Sequence, residues 1–221
     1  MNTVLVTGGS RGIGRAMVEL FSKAGYRVAF TYNSSAAAAD EVARAFGAFA
    51  VKADSKKEDE VISAVQKAEA ELGSIDVLIN NAGYGLTGAC EMLKDEEIKR
   101  IFDVDLMGAI YLTKRILPLM QKGGKIINIS SACALFPLPY RTMYCSVKAG
   151  MNLWSQGLTM ELEDCGIAVT SICPGDIKTP FTTNRKHDYA TNERYGDAMQ
   201  RADKKVEKKY NSRMEIGRAH V

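Results

Sequence analysis

The sequence predicts an open α/β fold built on a parallel sheet, with its functional site along the carboxyl edge of that sheet. Three observations carry this expectation. Short, continuously apolar, β-rich runs of the kind buried on both faces alternate with longer segments whose apolar residues recur at helical spacing. A glycine-rich loop joins the first such run to the first helical segment. A serine, a tyrosine and a lysine fall where a later strand hands over to a helix, at the edge where open α/β sheets bind ligands.

The elements follow in order. Thr3 to Thr7 reads as a strand entering Gly8-Gly-Ser-Arg-Gly-Ile-Gly14, after which Met17, Val18, Leu20 and Phe21 form a helical apolar face. Glycines let a phosphate approach the backbone, and the free amides of the following helix attract an anion, so the loop reads as a dinucleotide signature. The second strand, Tyr26 to Tyr32, ends in Asn33-Ser34-Ser35 and not in an acidic residue. A carboxylate there would accept from the ribose hydroxyls of NAD and repel the 2′-phosphate of NADP. Its absence, with Arg11 in the loop either binding that phosphate or simply solvated, favours NADP(H), with NAD(H) the alternative.

A helix from Ala36 to Phe46 and a strand from Ala48 to Ala53 lead to Asp54, which either accepts from an adenine amine or caps the helix beginning near Lys57. Val61, Ile62, Val65, Ala68 and Leu72 give that helix its core face. The strand Ile75 to Ile79 runs into Asn80-Asn-Ala-Gly83, small residues suited to a backbone passing under a flat ligand or to a plain turn. One long helix is expected over 94–120, with Asp105 and Gly108 interrupting its apolar middle; a buried aspartate there requires a partner.

Gly123-Gly124 ends that helix and opens the strand Lys125 to Ser130. Ser131 follows it, and Tyr144 and Lys148 lie four apart on one face of a helix continuing through Met151, Trp154, Leu158 and Leu162. A nearby cation favours the phenolate of a tyrosine whose free pKa is about 10. Such a phenol exchanges a proton with a carbonyl or alcohol oxygen that Ser131 could also hydrogen-bond. By itself Tyr-x-x-x-Lys reads more simply as a surface pair. A sixth strand, Ile167 to Cys173, leads into Pro174-Gly-Asp-Ile-Lys-Thr-Pro180 as the far wall of a pocket, and the polar stretch from Phe181 reads as a flap or a solvated helix. The wall of that pocket is expected from residues 84–93, 132–141 and 181–200, where Leu86, Leu135, Phe136, Leu138 and Phe181 would make it apolar.

Composition narrows the function classes. The 221 residues suffice for one well-filled core. The near balance of 29 basic and 26 acidic residues gives no reason to expect nucleic acid or an anionic membrane as partner. Between Arg185 and Arg213, nine basic residues face five acidic ones, an excess read as a solvated helix face. Cysteines 90, 133, 145, 165 and 173 form no Cys-x-x-Cys pair and read as buried free thiols in a reducing compartment. Only His187 and His220 are present, so neither a metal site nor a histidine base is expected. No secretory segment or membrane-length apolar run is legible, and a cytoplasmic location is expected.

Taken together, Thr7-Gly8-Gly-Ser-Arg-Gly12-Ile-Gly14, Asn80-Asn81-Ala82-Gly83, Ser131 with Tyr144-x-x-x-Lys148, and Pro174-Gly175 with Thr179 resemble the motifs of the short-chain dehydrogenase/reductase family over nearly all of residues 3 to 180. The resemblance implies a three-layer doubly wound (Rossmann) sheet and an NADP-dependent oxidoreductase moving a hydride between cofactor and a ketone or secondary alcohol. A dinucleotide-binding protein without turnover is the alternative. Tyr144 would be general acid or base, Ser131 would orient the carbonyl, and Lys148 would lower the tyrosine pKa and hold the nicotinamide ribose. Gly8, Ser10, Arg11 and Ile13 would line the cofactor loop. Asn33 and Ser34 would sit with Arg11 at the 2′-phosphate, Asp54 and Ser55 at the adenine, and Asn81, Ala82 and Gly83 at its ribose. Pro174, Gly175, Ile177 and Thr179 would meet the nicotinamide.

Two departures stand out. Asp105 occupies a position where the family usually has asparagine in its proton relay, so it is counted with the catalytic set and altered pH dependence is expected. The family's final strand and helix find no counterpart after Thr179, and residues 216–221 read as a non-native tail on a single 1–215 domain with a flap over 181–213. A homodimer or homotetramer is implied where the carboxyl terminus is complete.

Overall fold

Alternation of side chains along each strand decides the layering. Leu5 and Leu78 point to one face of the sheet, while their neighbours Val4, Val6, Val77 and Ile79 point to the other. Each face therefore carries its own apolar layer. The computed structural model describes residues 2–187, 193–210 and 214–215. Its main sheet comprises β1 (Thr3–Val6), β2 (Arg27–Tyr32), β3 (Phe49–Lys52), β4 (Val77–Asn80), β5 (Lys125–Ile129) and β6 (Ala168–Ile172). They lie in the order β3-β2-β1-β4-β5-β6, every pair parallel.

Helices α1 (Gly12–Lys23) and α2 (Ala36–Phe46) cover one face, closing over Val18, Ala39 and Val42. On the other face lie α3 (Glu58–Leu72), α5 (Gly108–Ile116) and α6 (Thr142–Leu162), whose Val61, Val65, Leu112, Ile116 and Leu158 meet Leu5, Leu78 and Ile126. Three acidic residues in the first turn of α3, Glu58, Asp59 and Glu60, lie with the sign its dipole favours. Because the chain winds outward from β1 in one direction and from β4 in the other, the carboxyl ends of β1 and β4 form the crevice at which doubly wound sheets bind ligands.

The doubly wound expectation is met, and each of the six expected strands is present. The long helix expected over 94–120 is instead three pieces in line. Helix α4 (Asp95–Phe102) passes into a π-helical turn, Asp103–Met107, then into α5, and Leu117–Leu119 closes as a 3₁₀ turn. The wide turn falls on Asp105, the polar interruption visible in the sequence. Of the five thiols expected to be buried, Cys145 is buried, Cys133 and Cys173 are partly so, and Cys90 and Cys165 are exposed; all are free.

Among the described residues the main sheet ends at β6, where Ile172 is exposed. After Pro180 the chain forms a short helix, Pro180–Thr183, pairs Lys186–His187 with Leu86–Thr87, and continues as helix Ala198–Tyr210. Met214–Glu215 returns to pair with Ile177–Lys178. Part of the expected flap over 181–213 and all of the expected 216–221 tail lie outside the described residues. Among the described residues no helix is long and apolar enough to cross a membrane.

Candidate active site

The glycine loop is held from β4. Thr7 Oγ1 accepts from the amides of Asn81 (2.8 Å) and Ala82 (2.9 Å), and Asn81 Nδ2 donates to the carbonyls of Thr7 (2.8 Å) and Gly8 (3.3 Å). The Asn81 side chain thus clamps the loop in addition to lining the crevice. A Cβ on Gly14 would lie 2.2 Å from the Gly8 carbonyl oxygen and one on Gly9 would lie 2.5 Å from Phe30 Cβ, so the loop folds back on itself only with hydrogen at these positions. No side chain caps the start of α1, which leaves its amino-terminal N–H groups to a ligand at that end of the crevice.

One strand further on, a buried polar chain fixes the sheet beneath the site. Asn80 Nδ2 donates to Thr113 Oγ1 and Asn128 Oδ1, Asn128 Nδ2 donates to Ser155 Oγ, and that hydroxyl donates to the Met151 carbonyl. These bonds tie β4, β5, α5 and α6 together, and α6 carries Tyr144 and Lys148.

Ser131 lies two residues past the end of β5, where its Oγ accepts from the Cys133 amide at 3.1 Å. Tyr144 is in the first turn of α6, and the Lys148 ammonium lies 5.8 Å from the centre of its ring. Lys148 is buried and donates to the Ile129 carbonyl at 3.1 Å. Burial raises the Tyr144 pKa; Lys148 and a hydrogen bond from Ser131 pull it down, while Asp105 pushes it up further. The net shift is upward. Sequence reasoning expected Lys148 to lower it, and in the folded protein that pull is outweighed by desolvation with Asp105 at hand.

Asp105 does not reach the cavity. Fully buried behind it, the carboxylate accepts from the Tyr84 amide at 2.9 Å and stands 3.3 Å from Lys148 Nζ. The partner its burial demanded is therefore the site lysine, and the carboxylate stands behind the cavity that Ser131, Tyr144 and Lys148 line. Burial raises the Asp105 pKa, with Lys148 and the Tyr84 amide acting against it. Burial likewise opposes the charge on Lys148, but Asp105 and Tyr144 outweigh it and leave the ammonium pKa raised.

A cavity of about 530 Å³ runs along the crevice, within the range of cofactor and substrate sites. Every residue assigned above to the cofactor lines it, from Gly8, Ser10, Arg11 and Ile13 through Asn33, Ser34, Asp54 and Ser55 to Pro174, Gly175, Ile177 and Thr179. Asp54 Oδ1 accepts from the Lys56 amide and its Oδ2 lies 3.4 Å from Lys56 Nζ; Lys57, not Asp54, occupies the cap position of α3. Ser131, Tyr144 and Lys148 line the same cavity with Phe136, Leu138 and Phe181, the last with its ring 5.8 Å from that of Tyr144.

Two expected wall residues are absent from that lining. Leu86 is buried with Leu93, Ile101 and Val147, and Leu135 points to solvent. Tyr84, Cys133, Arg141 and Arg185 take part instead. Tyr84, Cys133 and Arg141 fall in the expected 84–93 and 132–141 stretches, and Arg141 is the residue just before α6. Arg185 lies in the expected 181–200 stretch, beside the Lys186–His187 pairing with Leu86–Thr87. The uncapped helix start, the glycine cradle and the length of the cavity fit a dinucleotide with its pyrophosphate at α1 and its reactive end at Tyr144.

Comparison with known proteins agrees with this geometry. A family profile described as short chain dehydrogenase matches residues 2–190. A 3-ketodihydrosphingosine reductase of Bacteroides thetaiotaomicron is 34% identical over 209 residues, covering 93% of this chain and 76% of that protein. The crystal structure of BdcA in complex with NADPH is 34% identical with a TM-score of 0.77, covering 83% of this chain and 73% of that one. A 3-ketoacyl-(acyl-carrier-protein) reductase from Brucella melitensis complexed with NADH is 31% identical with a TM-score of 0.79, covering 83% and 79%.

Proposed function

The chain belongs to the short-chain dehydrogenase family, and on that premise we propose that Tyr144 exchanges a proton with the oxygen of a ketone or secondary alcohol while Ser131 hydrogen-bonds the same atom. The protein is an NAD(P)-dependent oxidoreductase acting on C=O and CH–OH groups. When bound, the nicotinamide supplies or takes the hydride. The chain's own residues bind, orient and move the proton. Gly8, Ser10, Arg11 and Ile13 would hold the phosphates, and Arg11 with Asn33 and Ser34 would favour the 2′-phosphate of NADP. Asp54 and Ser55 would meet the adenine, Asn81, Ala82 and Gly83 its ribose, and Pro174, Gly175, Ile177 and Thr179 the nicotinamide. NADP(H) is the preferred cofactor and NAD(H) is possible, in keeping with relatives solved with NADPH and with NADH.

One observation carries the proposal: Ser131, Tyr144 and Lys148, from two different elements, face one cavity whose other end is the glycine loop. Phe136, Leu138 and Phe181 beside them suit an apolar carbonyl compound. The small-molecule substrate would meet a single domain over 1–215 with a flap at about 181–213, from which Phe181, Asn184 and Arg185 line the cavity. In the cell the protein is taken as cytoplasmic and, where the carboxyl terminus is complete, as a homodimer or homotetramer; exposed Leu153 and Met160 on α6 offer an apolar face for a second copy.

The test is Tyr144→Phe. It should abolish turnover in a screen of NADPH oxidation against ketones and 3-oxoacyl thioesters while leaving NADPH binding intact. Undiminished turnover would exclude the proton role of Tyr144.

A further inference from the structure

We propose that Asp105 is a positioning counter-charge for Lys148 that keeps the proton on Tyr144, so that the site donates a proton to a carbonyl across neutral and mildly alkaline pH. The inference rests on the proposed proton-donating role of Tyr144 and goes beyond it to the pH range over which that role is available.

Geometry sets up the pair. The π-helical turn at Asp103–Met107 places residue 105 inside the protein with no exposed surface. Its Oδ1 is fixed by the Tyr84 amide at 2.9 Å, leaving Oδ2 aimed at Lys148 Nζ, 3.3 Å away, in a charge contact and not a directed hydrogen bond. Gly83 makes the room: a Cβ there would lie 2.6 Å from Oδ2. The ammonium is also fixed, by its bond to the Ile129 carbonyl. Neither charge can turn away to water.

The consequence lies in what Tyr144 experiences. A lone ammonium beside a phenol stabilises the phenolate. An ammonium with a buried carboxylate against it is a neutral pair, whose field falls off faster with distance and whose negative member opposes the phenolate directly. The titratable groups facing the pair are Tyr144 on the lysine's own helix and Tyr84 behind Asp105, beyond which lie Glu97 and Arg100. Cys133, from the turn after Ser131, acts on Tyr144 in the same sense as Asp105. Burial of the phenol adds to both.

With the proton held, reduction finds its donor already loaded: the carbonyl carbon receives a hydride from the reduced nicotinamide, the oxygen receives the Tyr144 proton, and solvent later returns a proton to the phenolate. Oxidation of an alcohol needs the phenolate first, and becomes available only at higher pH.

Asp105→Asn tests this, since it removes the charge and retains an oxygen to accept from the Tyr84 amide. The readout is the ionisation of Tyr144 itself, taken in cofactor-free protein as the tyrosinate absorbance of each protein minus that of the same protein carrying Tyr144→Phe. Expected is a fall of at least about one pH unit in the Tyr144 midpoint, a tenfold change in its ionisation constant. The alkaline limb of reduction and the acid limb of oxidation should move down by the same amount. Asp105→Ser, a smaller uncharged replacement, should give the same direction should the amide fold poorly. An unmoved or raised midpoint in a folded variant overturns the inference and leaves the proton role of Tyr144 standing. Turnover by Tyr144→Phe overturns the latter instead, whatever the titration shows.

Discussion

Three glycine-to-alanine changes should give three different outcomes, because the space and backbone at each position differ. At Gly14 the new Cβ would lie 2.2 Å from the Gly8 carbonyl oxygen and 2.6 Å from Asn81 Nδ2, both well inside ordinary contact. Neither neighbour is the loose end of a flexible side chain: one is backbone, and the other donates to Thr7 and Gly8. Overpacking of this kind costs about 1–3 kcal/mol, and displacing the Asn81 clamp adds about 1 kcal/mol. Gly14→Ala should therefore lose about 2–4 kcal/mol. At Gly12 a Cβ would meet Thr179 Cβ at an ordinary 3.7 Å, but φ is +56°, so alanine there costs roughly 1–2 kcal/mol in backbone conformation alone. Gly157, inside α6 with nothing within 4 Å, should gain roughly 0.5–1 kcal/mol. For a chain of this length each kcal/mol moves the melting temperature by about 2–4 °C, so calorimetry separates the three. NADPH titration supplies the functional half: Gly14→Ala should weaken binding by displacing the loop, and Gly157→Ala should leave it unchanged. Equal stability of Gly14→Ala and wild type, with undiminished NADPH affinity, would refute the packing of the loop described above.

Other expectations follow from the same geometry. Asn128→Ala removes the acceptor of Asn80 Nδ2 and the donor to Ser155 Oγ, and should lower stability by roughly 2–4 kcal/mol in urea unfolding, since each buried group left unpaired costs about 1–3 kcal/mol. The folded-state pKa of Tyr144 is raised above its ordinary 10.0, so the native protein keeps a proton that the unfolded chain releases; stability should fall as pH rises beyond about 10, and less steeply in Tyr144→Phe. Phe181→Ala removes the ring packed against Tyr144, and should raise KM for an apolar ketone more than it lowers kcat, measured by steady-state NADPH oxidation.

Much of this site was legible because its chemistry lies in local patterns. The Gly8 to Gly14 spacing, the absence of an acid after Tyr32 and the four-residue step from Tyr144 to Lys148 are features of continuous segments, and strand and helix periods are local properties of the chain. The edge at which they meet follows from alternation of those elements. Wall residues were less legible: Leu86 and Leu135 are apolar at the expected place in sequence, but burial of one and exposure of the other depend on what packs across them. Arg185 enters the cavity through a pairing between segments a hundred residues apart.

Sequence alone determined that a parallel sheet carries a glycine loop and a Ser–Tyr–Lys set along one edge, since hydrophobic period and glycine spacing admit few other arrangements. Asp105 shows what it could not decide. A polar residue in an apolar helix announces that a partner exists, and only the packing of α4 and the π-helical turn against α6, with Gly83 leaving room, selects Lys148 as that partner. The sign of the Tyr144 shift was decided in the same way. The sequence shows the cation one helical turn away, whereas desolvation and the carboxylate that outweigh it come from elements far off in the chain, because electrostatic energies depend on distance and burial in three dimensions.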